Sequence, residues 1–184
     1  MPRLHLLRIA ATALGLLLAL PASATVLDVA PNGFTIENSL SVPTDAMTAY
    51  RALVNDVGRW WPADHTWWGK AGNLSIQAKA GGCFCEIEGD KQAQHMVVSF
   101  AEPGRLLRML GGLGPLQGMG LSGTLEWRFA PVDKDKPEAG TRITLWYRAG
   151  GYAPKDISGF VPVVDKVQAQ QLGGLGEFLR KAAK

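Results

Sequence analysis

Apolar and polar positions change rhythm several times along the chain. Met1 to Arg8 carries Arg3 and Arg8 and no acid, Ile9 to Leu20 is continuously apolar, Pro21 ends the run, and Ala22-Ser23-Ala24 follows with small residues. A basic start, an apolar centre and a small-residue exit is the order of a secretory signal peptide. The alternative, a membrane anchor, needs about 20 apolar residues, and this run is shorter. The pattern predicts a cleavable signal over residues 1–24 and a mature domain over 25–184, periplasmic or secreted. No stretch after the signal reads as a stable membrane span.

From Gly33 to Val42, Phe34, Thr35, Ile36, Leu40 and Val42 read as a strand that stops at Pro43. Thr44 is placed as a helix N-cap, because Ala46, Met47, Tyr50, Leu53 and Val54 then recur at helical spacing. Asn55 to Gly58 ends that helix, and Arg59-Trp60-Trp61-Pro62 predicts a second short one. The period then shortens to two. Leu74, Ile76 and Ala78 alternate with polar residues, Gly81-Gly82 turns, Cys83 to Glu88 follows, and Gly89-Asp90 turns again. His95 to Phe100, Arg105 to Leu110, Ser122 to Phe129 and Thr141 to Ala149 are further strands. The glycines of Gly111 to Gly120 make a long loop, and Pro131 to Gly140 a charged hairpin tip.

The tail returns to helical spacing. Phe160, Val164, Val167, Gln171, Leu175 and Phe178 lie three or four residues apart, widened by Leu172 and Leu179. Gly173, Gly174 and Gly176 each weaken a helix by about 1 kcal/mol, so close packing, a kink or a break is expected there. About seven strands, with one or two short helices after the first and one long amphipathic helix at the end, make an α+β domain whose sheet that helix must cover.

Composition narrows the function classes. The formal net charge of +3, less the two arginines of the signal, leaves the mature domain near +1. There is no basic stripe with interleaved aromatics, so nucleic acid is not an expected partner. The only cysteines are Cys83 and Cys85. On a regular strand their Cα atoms stand nearly 7 Å apart, the limit for a bridge, so two small packing residues are expected rather than a bond. Cys83, Cys85, His65 and His95 lack the paired spacings of a zinc site, and neither a metal nor a cofactor is expected.

The element order, together with Arg59-Trp60-Trp61-Pro62, Gly81-Gly82-Cys83-Phe84-Cys85-Glu86, Pro103-Gly104-Arg105-Leu106, Trp127 and Leu145-Trp146-Tyr147, resembles the START-like or SRPBCC superfamily, nearest its polyketide cyclase-like and chaperone-ATPase-activator-like members. The resemblance implies the helix-grip fold, a curved antiparallel sheet wrapped around a long C-terminal helix. It also implies a cavity between sheet and helix for a lipid or polyketide-like ligand. None of these segments is a catalytic signature. An export signal argues against an activator of a cytosolic chaperone.

Trp60, Trp61, Trp67 and Trp68 put four of the six tryptophans in one short stretch with His65. They are expected either to line a cavity mouth and stack on a flat ligand or to pin a loop over the sheet edge. Leu125, Trp127, Phe129, Leu145 and Tyr147 are expected to face the same hollow. Acid–base candidates are His65, Glu86 and His95. His95 shares a strand face with Val97 and Ser99, opposite Met96, Val98 and Phe100. Glu86 and Glu88 are placed on the solvent face, opposite Cys83, Cys85 and Ile87. Arg108 is expected to point outward, and the Gly111–Gly120 loop to form a flexible lid. Three functions fit: an exported binding protein for a small hydrophobic or amphipathic molecule, a polyketide cyclase-like enzyme in the same cavity, or a protein-interaction domain using the Trp60–Trp68 loop.

Overall fold

The computed structural model describes residues 23–183, with side chains from residue 26. Residues 1–22 of the expected signal lie outside the described residues, while Ser23 and Ala24 open the first strand. The strands are β1 (Ser23–Ala30), β2 (Gly33–Val42), β3 (Leu74–Ile76), β4 (Cys83–Glu88), β5 (Lys91–Glu102), β6 (Leu106–Gly111), β7 (Ser122–Pro131) and β8 (Thr141–Gly150). The helices are α1 (Ala46–Asn55), α2 (Val57–Trp60) and α3 (Val161–Ala182). One antiparallel sheet runs in the order β1-β2-β8-β7-β6-β5-β4-β3 and curves about α3, the helix-grip fold.

There are eight strands, one more than the pattern predicts. β1 is the addition, pairing with β2 from Ser23↔Ser39 to Ala30↔Gly33. It is an edge strand with Val26, Leu27 and Val29 all exposed, so it carries no inward–outward alternation for a pattern to find. The cap of α1 is also shifted by one. Asp45, not Thr44, accepts from the Thr48 backbone N–H at 2.9 Å, while the Thr44 carbonyl accepts from the Thr141 hydroxyl.

α3 passes unbroken through its glycines. A Cβ on Gly174 would lie 2.5 Å from the Trp60 carbonyl oxygen, and one on Gly176 would lie 2.7 Å from Leu40 Cδ2. The glycines therefore serve close packing, and there is no kink. Asn38 of β2 donates to Asp165 of α3 at 2.9 Å and fixes the helix over the sheet. Phe34, Ile36, Leu125, Trp127, Phe129, Ile143, Leu145 and Tyr147 form one continuous core cluster with Leu172, Leu175 and Leu179 of the helix.

Candidate functional site

The core includes Val161 and Val164 of the N-terminal half of α3, but it does not fill all the space beside that half. A cavity of about 380 Å³ opens there. Its walls are the aromatic loop (Trp61, Asp64, His65, Thr66, Trp67), His95 of β5, the glycine-rich loop (Leu113–Leu116), and Phe160, Val163, Val164, Val167, Gln168 and Gln171 at the start of α3. Most of this lining is apolar.

Two of the four loop tryptophans reach the cavity. Trp61 is buried, its ring edge-on to Phe84 at 5.3 Å, and its Nε1 donates to the His65 carbonyl. Trp67 is 49% exposed at the rim. Trp60 instead belongs to the core, 5.9 Å from the Trp127 ring and donating to the Ala52 carbonyl. Trp68 is half-buried and off the lining. Leu125, Trp127, Phe129, Leu145 and Tyr147 face inward as expected but are buried in the core, with Trp127 against Trp60, Phe129 against Tyr50 and Tyr147 against Phe34, and do not line the cavity. Large side chains on successive strands fill the rest of the hollow, so apart from His95 of β5 the lining comes from loops and helix.

The acid–base candidates converge better than their sequence positions suggest. Glu86 is fully buried and Ile87 is 47% exposed, reversing the expected faces of β4. The Glu86 carboxylate accepts from the backbone N–H groups of Trp67 (3.0 Å) and Trp68 (3.1 Å), and lies 3.2 Å from His95 Nε2. These three donors compensate its burial. They also tie the aromatic loop to the sheet. Glu88, on the same face farther along, pairs with Lys70 and Asn73 nearer solvent.

His95 faces inward because the ladder is bulged. Phe84 pairs with Met96 but Cys85 pairs with Gln94, so His95 is the extra residue. His95 and Met96 are consequently both buried, not on opposite faces. A bulge of this kind re-aims one side chain, here into the cavity wall. Burial pushes the His95 ring below the usual histidine range, and the Glu86 carboxylate pulls it part of the way back. With Glu86 as acceptor, Nε2 carries the ring proton and Nδ1 keeps its lone pair. His65 also lines the cavity, its Nδ1 buried without a partner.

Opposite the bulge, Cys83 and Cys85 of β4 have a Cα separation of 5.4 Å and a disulfide between them. This corrects the expected unbonded pair, whose geometry assumed a regular strand. The glycine-rich loop is a fixed wall, not a free lid. Tyr147 Oη donates to the Gly111 carbonyl and accepts from the Leu113 N–H, while Gln117 donates to the carbonyls of Gln94 and His95. Arg108 lies on the outer face, paired with Glu126 at 2.6 Å. Among the described residues, no group of three or more His, Cys, Asp and Glu is placed to hold a metal, and no helix is long and apolar enough to cross a membrane.

Sequence periodicity missed Gln168. It and Gln171 are 1% and 2% exposed, yet both amide atoms of Gln168 and the Gln171 Oε1 have no partner. Its spacing from Val164 and Leu175, four and seven residues, was the available signal.

Neither a family model nor a curated protein matches the chain. Solved structures do. It is similar to an uncharacterised protein from Rhizobium leguminosarum (TM-score 0.58, 14% identity, covering 87% of this chain and 98% of that one). It is also similar to CalU16 from Micromonospora echinospora (TM-score 0.55, 15% identity, 86% of this chain and 84% of that one). A third likeness is to the di-domain ARO/CYC protein StfQ of the steffimycin biosynthetic pathway (TM-score 0.56, 14% identity), covering 83% of this chain and 52% of that one. At these identities the likeness is one of fold.

Proposed function

We propose that this chain is an exported binding protein for a small amphipathic molecule held between the aromatic loop, the glycine-rich loop and the first half of α3. The observation that carries this reading is the cavity of about 380 Å³, apolar on most sides with a few buried polar groups turned into it. That is the general make-up of small-molecule sites, which run from about 300 to 1,000 Å³. Burying apolar ligand surface there contributes about 25 cal/mol per Å², before the cost of immobilising the ligand. Export is supported by the residue order of 1–24 and by a disulfide, a bond that persists in oxidising compartments. Titration with small aromatic hydrocarbons should change the emission of Trp61 and Trp67. An emission spectrum unmoved by any of them would count against the reading.

A second reading is an acid–base enzyme in the same cavity, favoured by the His95–Glu86 pair in its wall. A neutral His95 with its Nδ1 lone pair free is suited to accept a proton from a bound carbon or hydroxyl acid. The fold likeness to an ARO/CYC protein supports this class only as a fold analogy. The two readings separate on turnover: a carrier releases its ligand unchanged, and His95→Gln should leave that ligand bound.

A further inference from the structure

We infer that the ligand carries a neutral head offering a hydrogen-bond donor and an acceptor side by side, such as a carboxamide or lactam, rather than a carboxylate. This rests on the binding-protein reading and specifies what binds.

Gln168 is the central observation. A buried polar group left without a partner costs about 1–3 kcal/mol, and such groups are rare in folded proteins. Gln168 leaves both its amide nitrogen and its amide oxygen unpaired while almost wholly buried in the cavity lining. Gln171 Oε1, one turn on along the same helix face, and Nδ1 of His65 in the same lining are unpaired as well. An apolar ligand would leave all four atoms unsatisfied. A head with an N–H and a C=O in one plane matches the Gln168 amide atom for atom, since a carboxamide is its own complement.

Charge excludes the alternative. No Lys or Arg is present among the described residues that line the cavity, and the acids nearby are Asp64 at the rim and Glu86 behind His95. A carboxylate would enter an apolar space with no cation to pair it and two like charges in the neighbourhood, which is unfavourable. The apolar remainder of the ligand would lie against Trp61, Leu116, Val164 and Val167.

The test is equilibrium dialysis of three probes of one shape: 2-naphthamide, 2-naphthoate and 2-methylnaphthalene. The amide should bind about tenfold tighter than either of the others, because a site built for hydrogen bonds discriminates against analogues that lack them. In Gln168→Leu, and in the volume-keeping Gln168→Met, the ratio of amide to hydrocarbon affinity should fall to about one. The melting temperature of both variants should rise, since a residue kept only for packing would not be improved by losing its amide. Naphthoate binding as tightly as the amide overturns the neutral head. A preference that survives in both variants overturns the role of Gln168. If the hydrocarbon binds and the amide gains nothing, this inference fails while the binding reading stands. If none of the three binds, both fail.

Discussion

His95 Nε2 lies 3.2 Å from Glu86 Oε2, between a bulged residue of β5 and a fully buried carboxylate of β4. The carboxylate also holds the Trp67 and Trp68 backbone, so one side chain joins the cavity wall to the loop that frames its mouth. Glu86→Gln replaces one acceptor oxygen with an N–H donor facing other donors. Hydrogen bonds to a charged acceptor contribute about 1.5–3 kcal/mol each, so urea unfolding of this variant should show a loss of about 2–4 kcal/mol. Hydrogen exchange should speed up at Trp67 and Trp68 before the rest of the sheet.

His95 should leave a signature in the pH dependence of stability. Its folded pKa lies below the ordinary value, chiefly through burial. The unfolded chain therefore takes up a proton near pH 6.5 that the folded protein refuses. Stability should be complete above that pH and decline as pH falls below it, until the folded ring also protonates. His95→Gln, which keeps a donor toward Glu86, should flatten this limb. An unchanged slope in that variant would remove His95 as its source.

Tyr147 gives the alkaline counterpart. Burial raises its phenol to about 12, against some lowering by the Leu113 N–H, and burial raises Tyr50 too. Ultraviolet titration should show Tyr147 ionising well above the ordinary phenol pKa of about 10, with Tyr50 delayed as well. Folding stability should decline above that pH, because the unfolded chain ionises first.

Gly173 and Gly174 are neighbours with opposite surroundings. A Cβ at Gly173 meets open space, whereas one at Gly174 meets the Trp60 carbonyl. Gly173→Ala should stabilise the protein by up to about 1 kcal/mol through helix propensity. Gly174→Ala should lose about 1–3 kcal/mol, because the backbone it strikes has little room to yield. Thermal unfolding of the pair checks the sign of each.

The Cys83–Cys85 bridge closes a very short loop, and chain-entropy arguments assign such a loop less than about 2 kcal/mol. The double change Cys83→Ser with Cys85→Ser should cost no more than that, as read by urea unfolding. A larger loss would mean the bridge also holds the β4–β5 bulge in place.

Period and punctuation made most of the fold legible in the sequence. The limits of β2 and β4 coincide with the runs that Pro43 and Gly89 close, and the spacing from Phe160 onward traces α3. The site was less legible because long-range contacts set it. No glycine marks the bulge that turns His95 inward. The donors that make Glu86 tolerable inside come from Trp67 and Trp68, a loop away in sequence. The inward residues of β7 and β8 read as a lining, but they are buried in the core, with Trp127 against Trp60 and Phe129 against Tyr50, and the open space lies beside the first half of α3. There the two glutamines had the spacing of core residues and the chemistry of a site.

The central claim is that this cavity takes up a small molecule. Native mass spectrometry of the purified protein, beside Val167→Trp, tests it most directly, since Val167 lines the cavity and an indole there would occupy it. The account expects the unmodified chain to carry a discrete small-molecule mass, or to acquire one from added 2-naphthamide, and the tryptophan variant to carry none. Equal adducts on both proteins, or none on either under any loading, would contradict it.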